Sequence, residues 1–142
     1  MTQPNAAKAA REMYGEVKEN NKLIYANDLA NSYAWDTAII FIQTYSGTSD
    51  YANQNKGKSF ANTGKNNDKY CNICDMSGNA YEWTTEYSTY SESDEFRPCV
   101  AHGASYSTLG TQAYDNTSSR NHALSSTSGG NIIGLRSMLY VK

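Results

Sequence analysis

The sequence predicts an α+β domain in which helices lead and strands follow. Three observations carry this reading. Two stretches repeat apolar residues at helical spacing, first Ala6, Ala9, Ala10 and Met13, then Trp35, Ala38, Ile39 and Ile42. Tyr81-Glu82-Trp83-Thr84 alternates as a strand with one buried face does. The run Ile132, Ile133, Leu135, Met138, Leu139, Tyr140 and Val141 supplies a closing core strand or pair of strands. A chain of 142 residues suits one domain around one core, 1–142, with 1–30 as helix and lead-in.

The first helix is expected from Asn5, which can cap it, to about Tyr14, with Gly15 ending it. Residues 16–22 are polar and read as solvent-exposed, and Leu23-Ile24-Tyr25 as a short buried strand or an anchoring turn. The second helix runs from Ser32, its expected N-cap, to about Thr44, with Asp36 suited to the first-turn dipole. Its Trp35, Ala38, Ile39 and Ile42 face inward. Residues 46–69 show no periodicity and read as a long loop, whose Lys56, Lys58 and Lys65 with Asp50 and Asp68 form a solvated face. Within 75–86, Gly78-Asn79 signals a tight turn and Trp83 belongs in the core. Residues 87–96 read as a polar, acidic loop. Pro98 to Ala101 leads into a short strand, and Gly103 permits a bulge or a close backbone approach. Residues 107–130 carry almost no apolar side chains.

Composition excludes several functions. A formal net charge of −2 argues against a general nucleic-acid binder, which would show a basic face. Ile39-Ile40-Phe41-Ile42 is far too short to span a membrane, so no membrane insertion is expected. Met1 leads into a polar stretch without the apolar middle of a signal peptide. The 12 tyrosines, set among Ser, Asn, Thr and Gly, are costly to bury and suit a binding surface. Cys71, Cys74 and Cys99 are an odd number, and Cys71-x-x-Cys74 lacks a second pair, so all three read as free, partly buried thiols. Asp75 and Glu82 flank the turn. With Gly78 and Ala80 they could hold a hard cation such as calcium; alternatively both acids accept backbone N–H bonds. No other cofactor is required.

Asp75-Met76-Ser77-Gly78-Asn79-Ala80-Tyr81-Glu82-Trp83-Thr84 also resembles the Gly-Asn-Val-Trp-Glu-Trp-Thr signature of the formylglycine-generating-enzyme (sulfatase-modifying-factor) type of C-type lectin fold. Further pieces follow in that family's order: His102-Gly103-Ala104-Ser105-Tyr106 is similar to its Arg-Gly-Gly-Ser-Trp/Tyr motif, Ser118-Ser119-Arg120 to its Ser-x-Arg segment, and Gly134-Leu135-Arg136 to its Gly-Phe-Arg ending. Tyr33-Ala34-Trp35-Asp36 matches the early helix with a buried Trp. The resemblance spans about 31–142 and implies a C-type lectin-like fold, two helices packed on small antiparallel sheets with long irregular loops.

One branch of that family agrees with a further feature. Residues 101–136 contain no Lys, Glu, Met or Trp, which, Gln112 apart, is what an AAY codon mutated only at its adenines allows. Small polar loops have similar composition. The chain thus resembles a variable protein of a diversity-generating retroelement. The resemblance implies a fixed frame of Gly103, Ser105, Ser118, Ser119, Arg120, Gly134 and Arg136. It implies a displayed, ligand-binding set of His102, Ala104, Tyr106, Thr108, Leu109, Ala113, Tyr114, Asn121, His122, Ala123, Gly129, Gly130 and Asn131. His102 stands where the family usually has Arg, and Ala104 where it has Gly. The implied partner is a protein or cell-surface ligand, on a phage particle (tail) or bacterial cell surface, with a homo-oligomer left open.

Two other functions compete. Oxidases of this family work through a copper-binding cysteine pair in the C-terminal part; here no cysteine follows Cys99, so no enzyme is expected. A fixed carbohydrate-binding lectin is the alternative. Its Glu-Pro-Asn, Gln-Pro-Asp and Trp-Asn-Asp motifs are absent, although Tyr106 and Tyr114 could stack on sugars.

Overall fold

A computed structural model describes residues 1–55, 59–92, 94–107, 116–128, 130 and 132–141. Helix α1 spans Gln3–Glu12 and is followed by strands β1 (Glu16–Glu19) and β2 (Lys22–Leu29). Helix α2 spans Ser32–Tyr45. The long loop after it contains one short 3-10 turn, Tyr51–Asn53, and leads to a small hairpin, β3 (Lys69–Tyr70) and β4 (Ile73–Cys74). Then come β5 (Tyr81–Tyr87), a second small hairpin of β6 (Ser91–Glu92) and β7 (Glu95–Phe96), and the strands β8 (Cys99–His102), β9 (Arg120–Ala123), β10 (Ile133–Leu135) and β11 (Ser137–Val141).

Two sheets organise these strands. One has the order β1-β2-β11 and is antiparallel; the other has the order β10-β5-β8-β9. Within the second, β10 runs parallel to β5, the exception to the expected antiparallel pairing, while β5, β8 and β9 pair antiparallel. This is the α+β, C-type lectin-like architecture expected from the sequence.

Strand β5 is covered on both faces. Trp83 and Thr84 are adjacent, point to opposite sides of the sheet, and are both fully buried. On the Trp83 side lies α1, whose Ala6, Ala7 and Ala10 pack with Leu29, Cys99 and Ala101. Alanines let the helix approach closely, and Gln3 Nε2 donates to Thr84 O across the gap. On the other side lies α2: Trp35, Ile39 and Ile42 pack with Ala30, Tyr51 and Met76, and the Trp35 ring contacts His102 of β8 at 5.3 Å.

Several local expectations are corrected. Helix α1 begins at Gln3, two residues early, with Pro4 in its first turn and no side-chain cap on Thr2; Pro favours that position because its missing N–H is unused there. Met13 is exposed. The cap of α2 is Asn31, whose Oδ1 accepts from Ala34 N at 2.8 Å. Residues 16–29 form a hairpin: the polar Glu16–Glu19 is exposed as expected but pairs as β1, and the strand at Leu23-Ile24-Tyr25 extends over Lys22–Leu29. Asn20 and Asn21 turn it, with φ of 50° and 60°, and Asn tolerates this left-handed conformation better than most residues. Residues 87–96 contain the β6–β7 hairpin. The closing segment is a strand pair, but Leu139 and Val141 face solvent because β11 alternates.

The Cys71-x-x-Cys74 spacing is that of a second hairpin. Cys71 and Asn72 form its turn with φ of 51° and 63°, and Cys74 pairs with Lys69. All three cysteines are free thiols, Cys99 buried and the others half-buried. Cysteine has no side chain suited to positive φ, so Cys71→Asn, which makes this turn match Asn20-Asn21, is expected to raise stability by about 0.5 kcal/mol. Urea unfolding under reducing conditions measures this; a loss of stability would show that the Cys71 side chain makes a contact the turn needs.

Candidate ligand-binding face

The signature 75–83 forms a polar clamp on the long loop. Asn79 mimics a strand residue: its Oδ1 accepts from Ala61 N and its Nδ2 donates to Ala61 O, both at 3.0 Å. Asp75 Oδ2 accepts from Gly64 N. Asp68, itself buried, accepts from Tyr51 Oη at 2.8 and 3.0 Å and from Ser77 N at 2.6 Å. Burial and that carboxylate together hold the Tyr51 hydroxyl far above its ordinary pKa. Positive φ at Asp75, Gly78 and Asn79 is what turns these groups toward the loop. A loop with little apolar content is thus held by buried carboxylate and amide groups, which are stronger anchors in a dry environment than in water.

Glu82 and Arg136 form the next layer. Arg136 Nε and Nη2 donate to the two Glu82 oxygens at 2.6 and 2.8 Å, and Nη2 also donates to Cys74 O at 2.8 Å. Desolvation raises Glu82 and Arg136 offsets that; the fork pairing in turn holds the guanidinium charged, above its ordinary value. Both Glu82 oxygens are therefore taken by a guanidinium. Among the described residues no group of three or more His, Cys, Asp or Glu is placed to hold a metal ion. Of the expected calcium ligands Asp75, Gly78, Ala80 and Glu82, Glu82 is thus engaged by Arg136. Asp75 Oδ1 is buried without a partner.

Strand register shows where the loops meet. Tyr81 lies level with Ile133, and Glu82 with His102, which is level with Arg120. The start of β5, the end of β8, the start of β9 and the start of β10 therefore share one end of the four-stranded sheet. Backbone bonds confirm it: Tyr106 N donates to Asn79 O, Tyr81 N to Ile132 O and Gly103 N to Ser119 O. A cavity of about 520 Å³ opens there, lined by Phe60, Asp75, Asn79, Glu82, Gly134 and Arg136 among others. Phe60, 61% exposed, sits on its rim with its ring 5.6 Å from that of Tyr106.

The residues expected to be displayed separate into groups. His102 and Ala104 are fully buried, which corrects their assignment to the surface. The cause is topological: β8 is an inner strand of the sheet, and its continuation runs beneath the clamp. Tyr106 emerges half-buried beside the cavity, and Gly130 is exposed. Along the edge strand β9, Asn121 is exposed, His122 is half-buried and stacked on Tyr90 at 4.7 Å, and Ala123 packs against the core. Thr108, Leu109, Ala113, Tyr114, Gly129 and Asn131 lie outside the described residues.

The expected frame residues hold the loops together. Gly103 has φ +84°, and a Cβ there would lie 3.1 Å from Met76 O and 3.2 Å from Trp35 Cζ2. Trp35 Nε1 donates to Thr117 O at 3.0 Å. Asn116 Oδ1 accepts from Ser118 and Ser119, closing that turn. Arg120 donates to Asp36 at 2.7 Å and to Glu86 at 3.3 Å. Glu86 also meets His102 Nε2 at 2.7 Å, so α2, β5, β8 and β9 share one charged cluster. Sequence reading missed Phe60 and Glu86, saw Asn79 only as a turn residue, and placed Asp68 on a solvated face, whereas it is buried under Tyr51 and Ser77. Phe60 carried a signal, an isolated aromatic in a polar loop; the others are ordinary polar residues until the fold brings partners to them.

The profile of the sulfatase-modifying factor enzyme 1-like domain matches residues 2–140. The chain belongs to that family. No curated protein and no solved structure matches it. In this sulfatase-modifying-factor-type domain the motifs that suggested the family are now seen to be one connected frame: the clamp, Gly103, the 116–119 turn and Arg136.

Two measurements test the frame. Gly103→Ala is expected to cost about 2–4 kcal/mol, combining the positive φ with the contact against backbone and indole; urea unfolding would show it, and a cost below about 1 kcal/mol would refute the close packing. The second concerns His102, whose Nδ1 is buried without a partner. Burial holds it below the ordinary imidazole value, and the Glu86 hydrogen bond offsets this only in part. The folded state keeps His102 neutral where the unfolded chain already binds a proton. Its contribution is complete above about pH 6.5 and is lost as pH falls below that, at up to ~1.4 kcal/mol per pH unit. Wild type should lose on the order of 1 kcal/mol more than His102→Gln between pH 7 and pH 5.5; parallel curves would refute the assignment.

Proposed function

We propose that this domain is a non-catalytic binding module. Its ligand face is the loop end of the four-stranded sheet, with side chains there diversified by retroelement-directed adenine mutagenesis. The observation that carries the reading is the convergence of three segments from the compositionally filtered region, 103–107, 116–119 and 132–133, on that one end. Beside them opens the cavity whose rim holds Phe60, and the Tyr106 ring stands 5.6 Å from that of Phe60. Their anchors are buried while Tyr106, Asn121 and Gly130 reach the surface. Such a division suits diversification, since exposed substitutions shift stability by only ~0.5 kcal/mol whereas core substitutions cost several times that. The ligand is a protein or cell-surface receptor, and the domain acts from a phage particle or a bacterial surface. The absence of any cysteine after Cys99 supports a binding role over the copper-dependent oxidase chemistry of the family.

A second reading has its own support. Two rings beside a cavity lined by Asn79 and Arg136 suit the apolar face and hydroxyls of a sugar.

Deep sequencing of the locus across a population tests the first reading. Substitutions should concentrate at adenines in the codons of Tyr106 and Asn121 and in those for 108–114, beside a near-identical template repeat. His102 and Ala104, being buried, should stay fixed with Gly103, Thr117 and Arg136. Uniform low variation would overturn diversification, and a glycan array read with Phe60→Ala and Tyr106→Ala as controls would then decide for or against the sugar site.

A further inference from the structure

Helix α2 carries a second apolar face that nothing in the described chain covers. Its core face holds Trp35, Ile39 and Ile42. The opposite side presents Tyr33, Ile40, Phe41 and Tyr45, exposed by 83, 63, 44 and 72%. At 100° per residue these four fall in one stripe with Thr37 and Thr44. The Phe41 and Tyr45 rings touch, with centroids 4.9 Å apart. A helix lying on a surface ordinarily turns charged groups to water, and one that is apolar all round is buried. The only charged residue in Ser32–Tyr45 is Asp36, and Arg120 pairs with it at 2.7 Å. Three aromatic rings and an isoleucine at these exposures offer on the order of 500 Å². That equals the largest patches found on monomers, roughly 300–600 Å². It is also more than half of the ~800 Å² that each partner gives to a standard interface.

We propose that this stripe is the interface of a two-fold symmetric homodimer, α2 packed antiparallel against α2 of a second copy. The stripe is self-complementary. Tyr33 and Tyr45 stand at its ends and Ile40 and Phe41 near its middle, so reversing its direction nearly restores it. A two-fold axis close to residue 39 sets Tyr33 of one chain against Tyr45 of the other, Phe41 against Thr37, and Ile40 within about 3 Å, along the helix axis, of its own copy, the reciprocal pairing an isologous interface requires. Because the stripe is uncharged, this pairing brings no like charges together despite the net charge of −2 on each chain. The inference stands on α2 alone and is independent of the ligand face.

Sedimentation velocity with static light scattering on the full chain tests it. Wild type should be a dimer at about 10 μM. Ile40→Asp combined with Tyr45→Asp should weaken association by roughly 100-fold or more while the circular dichroism spectrum stays unchanged, and its melting temperature should lose the concentration dependence of the wild type. Should that variant lose its fold, Tyr33→Ser with Tyr45→Ser is expected to give the same loss of dimer. Under mild oxidation Ile40→Cys should cross-link to its copy, above the background set by Cys71, Cys74 and Cys99 in the wild type, and Tyr33→Cys should not. A wild type that stays monomeric at every concentration overturns the proposal. So does a dimer indifferent to these substitutions, or one in which Ile40→Cys fails to cross-link.

Discussion

The packing of Trp35 is the constraint on which the rest of the structure depends. Its indole ring lies against the place where a Cβ of residue 103 would be, contacts the His102 ring and faces the Arg136 guanidinium at 5.9 Å. Its Nε1 donates to Thr117 O. Four segments far apart in sequence thus meet on one side chain: the helix that carries it, the end of β8, the 116–119 turn, and the corner between β10 and β11. Burying a Trp is favourable only when its N–H finds an acceptor. The turn at Thr117 supplies that acceptor, so packing of the core and placement of a surface loop are one event.

The second tier is electrostatic. A guanidinium is the one cation that can satisfy two carboxylate oxygens and a carbonyl with a single rigid fork, and Arg136 does so for Glu82 and Cys74 O. Taking one partner away would leave the other buried and unpaired, which costs far more than the pair contributes. This explains why the acids of the signature read ambiguously. A pair of carboxylates around a turn looks like a cation site, and in this fold a cationic side chain from the far end of the chain answers part of that charge.

Much of the fold was legible because it follows from period. The stripe Trp35, Ile39, Ile42 and the alternation around Trp83 fix a helix and a strand whatever surrounds them, and the Gly78-Asn79 turn declares itself by positive φ. What was missed depended on pairings that a local reading does not weigh. Asn20-Asn21 and Cys71-Asn72 turn two hairpins, yet the strands that lead into them, β1 and β3, are short and polar, so the alternation that marks a strand is faint there. The site was less legible for a related reason. His102 and Tyr106 belong to one motif four residues apart, but one lies in an inner strand and the other on a rim. Composition cannot separate them, because a His or an Ala in a loop-like sequence reads as exposed until the sheet order is known.

The same order sets which positions a changing surface could use. Substitution at His102 would disturb the Glu86–Arg120–Asp36 cluster, and at Ala104 a fully buried position. Tyr106 lies only two residues further on, and there the backbone is already fixed by its bond to Asn79 O, so the side chain can change while the loop keeps its path. Backbone anchoring by Asn79, Gly103 and Thr117 thus separates loop shape from side-chain identity. In an ordinary binding loop the two are coupled, because side chains hold the loop as well as touch the ligand. In the face proposed to bind ligand, the clamp would take over the first task at Tyr106, whose backbone is held by Asn79 O whatever its side chain.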